Sequence, residues 1–168
     1  MAGWLAAQRS AQLAALYLLG IYFAEIFGTA DKNELDKMKK ALTDLHKSVS
    51  AALGCEEQIK EIAQRLKDID RAYFIGRGLG FAAAAEGSLK LKEISYIHCE
   101  AYAAGEMKHG TISLIEHGTV VAAVATDDAL YGKMISNIKE VHARGAYVIA
   151  IVKEGTKGIE AIADEVIY

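Results

Sequence analysis

From residue 71 onward the chain alternates short, uninterrupted apolar runs with stretches of helical pattern. The runs are RAYFIG (71–76), TVVAAVAT (119–126), AYVIAIV (146–152) and the terminal EVIY (165–168), and helices are expected from Phe81 to about Tyr96 and from Asp128 to Arg144. Runs such as Val120 to Ala125 and Tyr147 to Val152 have no polar face, so both of their faces must be buried. A parallel sheet covered by helices on each side meets that demand.

Three helical stretches come first, at about 3–27, 31–53 and 55–68. The second starts at Asp31, a capping residue, and ends at Gly54. Within it Leu35, Met38, Leu42, Leu45 and Val49 recur at three- and four-residue spacing, which makes one apolar stripe and leaves Lys37 to Lys40 on a solvated face. A chain of 168 residues is long enough for one well-filled core. The expectation is a single α/β domain over 1–168: a helical N-terminal region (1–70), then a parallel core (71–168) of three-layer αβα, flavodoxin-like architecture.

Composition excludes several classes. A net charge of −3 with Lys and Glu evenly scattered offers no basic face, so no nucleic-acid partner is expected, and no helix-turn-helix pattern is recognisable. Cys55 and Cys99 lie far apart and no secretory leader is read before them, which suggests free thiols and a cytoplasmic location. The apolar run Leu13 to Ala24 is closed by Gln12 and Glu25, short of the roughly 20 residues of a spanning helix. It is therefore expected to be a buried helix, with no membrane partner.

No metal or cofactor is expected. His98, Glu100, Glu106 and His109 do not follow a zinc spacing. Gly76, Gly78 and Gly80 lack the third glycine position and the ribose-binding acid of a dinucleotide fingerprint. Cys99 and His98, as neighbours on a strand, would point to opposite faces. The three glycines follow a strand and precede a helix. They either bring backbone amides close to a phosphate or sugar, or simply permit a tight turn and close packing.

Glu86, Lys90 and Glu93 fall at i, i+4 and i+7, so a helix places all three on one face. As an exposed pair, Lys90 and Glu93 would contribute only about 0.2–0.5 kcal/mol. As a site, a carboxylate so placed suits chemistry in which a proton is taken from one carbon and returned to the next. His109 sits in a separate turn segment.

EGSLKLKEISYIHCEAYAAGEMKHG (86–110), with SAQLAALYLLG (10–20), FIGRG (74–78) and SNIKEVHARGAYVIAI (136–151), resembles the second sugar-isomerase (SIS) domain of the glutamine:fructose-6-phosphate aminotransferase, or glucosamine-6-phosphate synthase, family. The resemblance implies that Glu93 is the proton-shuttling glutamate, Lys90 its electrostatic support, and His109 a ring-opening histidine supplied by the neighbouring subunit of a homodimer. Gly76, Arg77, Gly78 and Glu86 are taken as the substrate-binding residues. The parent reaction joins ammonia transfer to fructose 6-phosphate with ketose-to-aldose isomerisation. The glutaminase, the first SIS domain and the C-terminal tail of that family have no counterpart here, so weak activity or none is expected of the chain by itself.

Two segments depart from the family: MAGWLAAQR (1–9), and Leu79-Gly80-Phe81 leading into Ala82 to Ala85. They suggest an alternative, an engineered non-catalytic α/β scaffold that binds a protein partner through the Trp4 helix. That alternative predicts no sugar binding.

Overall fold

The computed structural model describes residues 10–168 in full and, for 2–9, the helical backbone alone. The chain divides into two compact units, one ending at Glu56 and one spanning Glu57–Tyr168.

The first unit holds α1 (Ala2–Phe27) and α2 (Lys32–Leu53). Helix α2 forms as its stripe predicts. The Asp31 carboxylate accepts the Asn33 N–H at 2.8 Å, and the Gly54 N–H closes the other end on the carbonyls of Ala51 and Ala52. Leu35 is buried and Lys37 to Lys40 are exposed.

Helix α1 corrects the expectation of a buried helix. Of Ser10–Phe27 only 6% is buried, represented by Ile21, while Leu16, Tyr17, Tyr22, Phe23 and Phe27 are each at least half exposed. The physical reason is that α1 is apolar on every side, and in its unit there is only α2 to cover it. By length and composition alone this stretch suffices to cross a bilayer, Glu25 included. The Trp4 side chain lies outside the described residues.

The second unit takes in all but the first residue of α3 (Glu56–Arg65), which ends earlier than expected in a turn closed by the Ile69 N–H on the Leu66 carbonyl. Then follow β1 (Arg71–Gly76), α4 (Leu79–Ser95), β2 (His98–Ala103), β3 (Val120–Ala125), α5 (Tyr131–Ala143), β4 (Tyr147–Val152) and β5 (Glu165–Ile167). All pairings are parallel and the strand order is β2-β1-β3-β4-β5. This is the flavodoxin-like order. Strand β2 is absent from the apolar runs of the sequence, although His98 and Cys99 read as neighbours on a strand. As an edge strand it carries polar His98 and Glu100 between Cys99 and Ala101, so it has no continuous apolar run to reveal it.

Side-chain alternation puts two cores on opposite faces of the sheet. Tyr73, Ile75, Val121, Ala123, Val148 and Ala150 pack with Met134, Ile138 and Val141 of α5. Ala72, Val120 and Cys99 pack with Phe74 and with Leu91 of α4. The three layers are therefore α5, sheet and α4. Helix α5 starts at Tyr131 and not at Asp128, because the Asp127 carboxylate accepts the Ala129 N–H at 2.9 Å and holds the intervening residues in a turn. Arg65 pairs with Glu165, and Gln58 Nε2 donates to the Val166 carbonyl at 2.8 Å, tying α3 to β5.

Candidate functional site

Helix α4 is pressed onto the sheet by a face of small residues. Gly80, Ala84 and Ser88 are buried at four-residue spacing, and Gly87 lies against the Phe74 ring. A Cβ on Gly76 would lie 2.3 Å from the Gly80 carbonyl carbon, and one on Gly80 would lie 3.0 Å from the Val124 carbonyl oxygen. For Gly76 and Gly80, close backbone packing explains the glycine. Gly78, at φ 54°, caps α4 in a conformation that L side chains rarely adopt.

On another flank of α4 stand Glu86, Lys90 and Glu93. Lys90 Nζ donates to Glu93 Oε2 at 2.5 Å and lies 3.9 Å from Glu86 Oε1. The Lys90 side chain is 20% exposed and that of Glu93 41%, so the ammonium is sheltered between two acids while the Glu93 carboxylate stays open to solvent and to a ligand. The helix ends three residues later at Tyr96, whose left-handed φ of 62° is the sole positive value of a non-glycine among the described residues.

The structure does not join His109 to this pair. It is exposed at the end of the short 3-10 turn Met107–His109, and among the described residues no hydrogen bond or ion pair links it to Lys90 or Glu93. Arg77 is half-buried and turned toward α5, where its Nε donates to Asn137 Oδ1 at 3.0 Å.

One feature of the fold escaped the sequence reading. Strand order reverses between β1 and β3, and at the carboxyl ends of those strands a cleft of about 650 Å³ is lined by Leu79, Gly80, Thr126, Asp127, Asp128 and Lys153, among others. Ligands of open α/β sheets bind at such switch points. Lys153 Nζ meets Asp128 Oδ2 there at 2.6 Å. Strand order is the signal that would have pointed to the loop after β3, and strand order is not written in a linear pattern. Among the described residues no group of three metal-ligating side chains occurs.

Neighbouring titratable groups respond to their surroundings. The hydrogen bond to Glu100, reinforced by burial, pushes the Tyr102 phenol up to about 12. Burial raises the Cys99 thiol. The Tyr147 hydroxyl, with Arg65 beside it, holds the Glu165 carboxyl below its ordinary value.

Comparison with known proteins adds to this geometry. A family model described as "SIS domain" matches residues 65–168. The glutamine–fructose-6-phosphate aminotransferase [isomerizing] of Clostridium acetobutylicum is 48% identical over 157 residues, covering 94% of this chain and 26% of that protein. The enzyme of the same description from Caldanaerobacter subterraneus is 49% identical over the same shares. The chain thus spans about a quarter of the length of the curated relatives it matches. Among solved structures, the C-terminal domain of glucosamine-fructose-6-phosphate aminotransferase from Francisella tularensis superposes with a TM-score of 0.84 at 34% identity, over 91% of this chain and 43% of that one. Glucosamine-6-phosphate deaminase from Thermotoga maritima, at 21% identity and a TM-score of 0.59 over 90% of this chain and 44% of that one, shares the fold alone. Similarity to these aminotransferases over 94% of the chain leaves the engineered-scaffold alternative unsupported.

Proposed function

This chain belongs to the SIS domain family, and we propose that it is the part of a sugar-phosphate isomerase that supplies the proton-moving carboxylate. The observation that carries the reading is the Lys90–Glu93 pair at 2.5 Å on an open flank of α4, within a chain 48% identical to an isomerizing aminotransferase. The substrate class is a six-carbon ketose or aldose phosphate, such as fructose 6-phosphate or glucosamine 6-phosphate.

Isomerisation moves a carbonyl between adjacent carbons. One base removes a proton from the first carbon, an enediol or enolamine forms, and the same base returns the proton to the second. Glu93 is that base. Lys90 holds the carboxylate in place from one side, leaving the other oxygen free to reach substrate, and Glu86 helps fix the Lys90 ammonium. Gly76, Arg77 and Gly78 are assigned to the margin of the sugar-phosphate site, Arg77 through its backbone because its side chain is engaged by Asn137.

Ring opening requires an acid-base group that α4 does not carry. We assign it to the partner's His109 in a homodimer, as the resemblance to the aminotransferase family implies. Two cysteines kept as thiols fit a reducing, cytoplasmic setting.

Addition of glucosamine 6-phosphate to the labelled chain is expected to give saturable amide shifts at 76–80, 90–93 and 105–110. Any isomerase activity should disappear in Glu93→Gln. Full activity in that variant would refute the assignment.

A further inference from the structure

A chain of polar side chains surrounds the turn that bears His109. Arg77 Nε donates to Asn137 Oδ1 at 3.0 Å, Asn137 Nδ2 donates to Glu140 Oε2 at 3.5 Å, and Glu140 Oε1 meets Lys108 Nζ at 2.6 Å. Lys108 immediately precedes His109. At the other end of the same turn the Arg77 guanidinium lies over Gly105, where a Cβ would come within 2.7 Å of its Nη2. One connected path therefore touches the turn at Gly105 and again at Lys108.

Asn137 is the hub of that path, and it is 3% exposed in the middle of α5. A buried carboxamide is unfavourable unless both of its ends are paired. Here the chemistry fixes its orientation: a guanidinium can only donate and a carboxylate can only accept, so the oxygen must face Arg77 and the NH₂ must face Glu140. An apolar residue would fill the same space in α5 without the cost of burial. It could not join Arg77 to Glu140.

We propose that Asn137 is a positioning residue: through Arg77 at one end, and through Glu140 and Lys108 at the other, it sets the turn from which His109 is presented. The buried Met107 side chain anchors the middle of that turn, and the Ala104 N–H on the Gly76 carbonyl at 2.9 Å anchors its start. Neither constrains the end at Lys108. The inference rests on the role given to His109 above, but its test does not depend on activity.

The test is amide hydrogen exchange and ring-proton NMR on the full chain, in Asn137→Ala, Asn137→Asp and Glu140→Gln. In Asn137→Ala, exchange at 104–110 should rise by about tenfold or more relative to that at Val121–Ala123 and Val148–Ala150. The His109 ring resonance should shift while those of His46 and His98 stay in place. Asn137→Asp keeps the acceptor for Arg77 and loses the donor to Glu140, so protection should return at Gly105 and not at Lys108. Equal change in the turn and in the core strands would reduce Asn137 to general stability and overturn the proposal. If Asn137→Ala does not fold, Glu140→Gln decides, because it loosens only the Lys108 end; unchanged exchange at 107–109 would overturn the proposal. Glu93→Gln should leave exchange at 104–110 unaltered. Loss of the sugar-phosphate reading would therefore leave this result standing, and the reverse also holds.

Discussion

Replacing Gly76 by alanine tests how the sheet and the helix carrying Lys90 and Glu93 are joined. The new Cβ would lie 2.3 Å from both the carbonyl carbon and the oxygen of Gly80 and 2.6 Å from the Phe81 nitrogen. Carbon atoms in contact sit about 3.5–4.0 Å apart, so the first turn of α4 would have to retreat by more than about 1 Å. Overpacking typically costs about 1–3 kcal/mol. The upper end applies here, because the obstructing atoms are backbone and no rotamer change can clear them. At about 2–4 °C per kcal/mol for a chain of this size, a loss of ~3 kcal/mol lowers the melting point by roughly 6–12 °C. Unfolding should be followed through amide signals of β1 and β3, which report on the unit that holds Gly76. Gly132, exposed in α5 with nothing within 4 Å of its Cβ position, is the control: Gly132→Ala should be neutral or stabilise by up to about 1 kcal/mol. A Gly76→Ala protein within about 0.5 kcal/mol of the parent would refute the packing argument.

Two further outcomes are expected. Tyr102 should ionise at about 12 and not at its ordinary 10.0. Because its pKa is raised on folding, the associated stability is full below pH 10, wanes above it and is lost as pH passes 12, and Glu100→Gln should bring the NMR-monitored titration back toward 10. A thiol reagent should label Cys55 in the native chain and spare Cys99, which has 0% exposure and a thiol raised by burial, until denaturant is added; equal rates at the two would contradict the burial of β2 against α4.

Much of the fold was legible because its signals are local. Val120–Ala125 and Tyr147–Val152 are runs that only a doubly covered strand explains, and both are central in the sheet. The Asp31 cap and the Gly54 stop needed no tertiary information. Lys90 and Glu93 were legible for the same reason: three residues on a helix bring them together whatever surrounds it. Strand β2 gave no apolar run, since a strand at an edge need not be apolar on both faces. For α1 the reading was right that such a helix needs cover. It was wrong to expect the helix buried, because hydrophobicity states a demand without saying which surface meets it.

The remainder of the site depends on contacts across the fold, and there sequence spacing is silent. Arg77 and Asn137 are 60 residues apart, and their hydrogen bond exists because the fold brings the residue after β1 to the middle of α5. The same contact changes what Arg77 is for. Beside two glycines at the end of a strand, its side chain reads as a ligand for phosphate. Turned onto Asn137 and over Gly105, it braces the turn that bears His109, and only its backbone stays near the strand end. Supporting residues of this kind are chosen by what they hold, so they carry no motif of their own. They become visible once the buried polar atoms of the fold are asked, one by one, which partner they face.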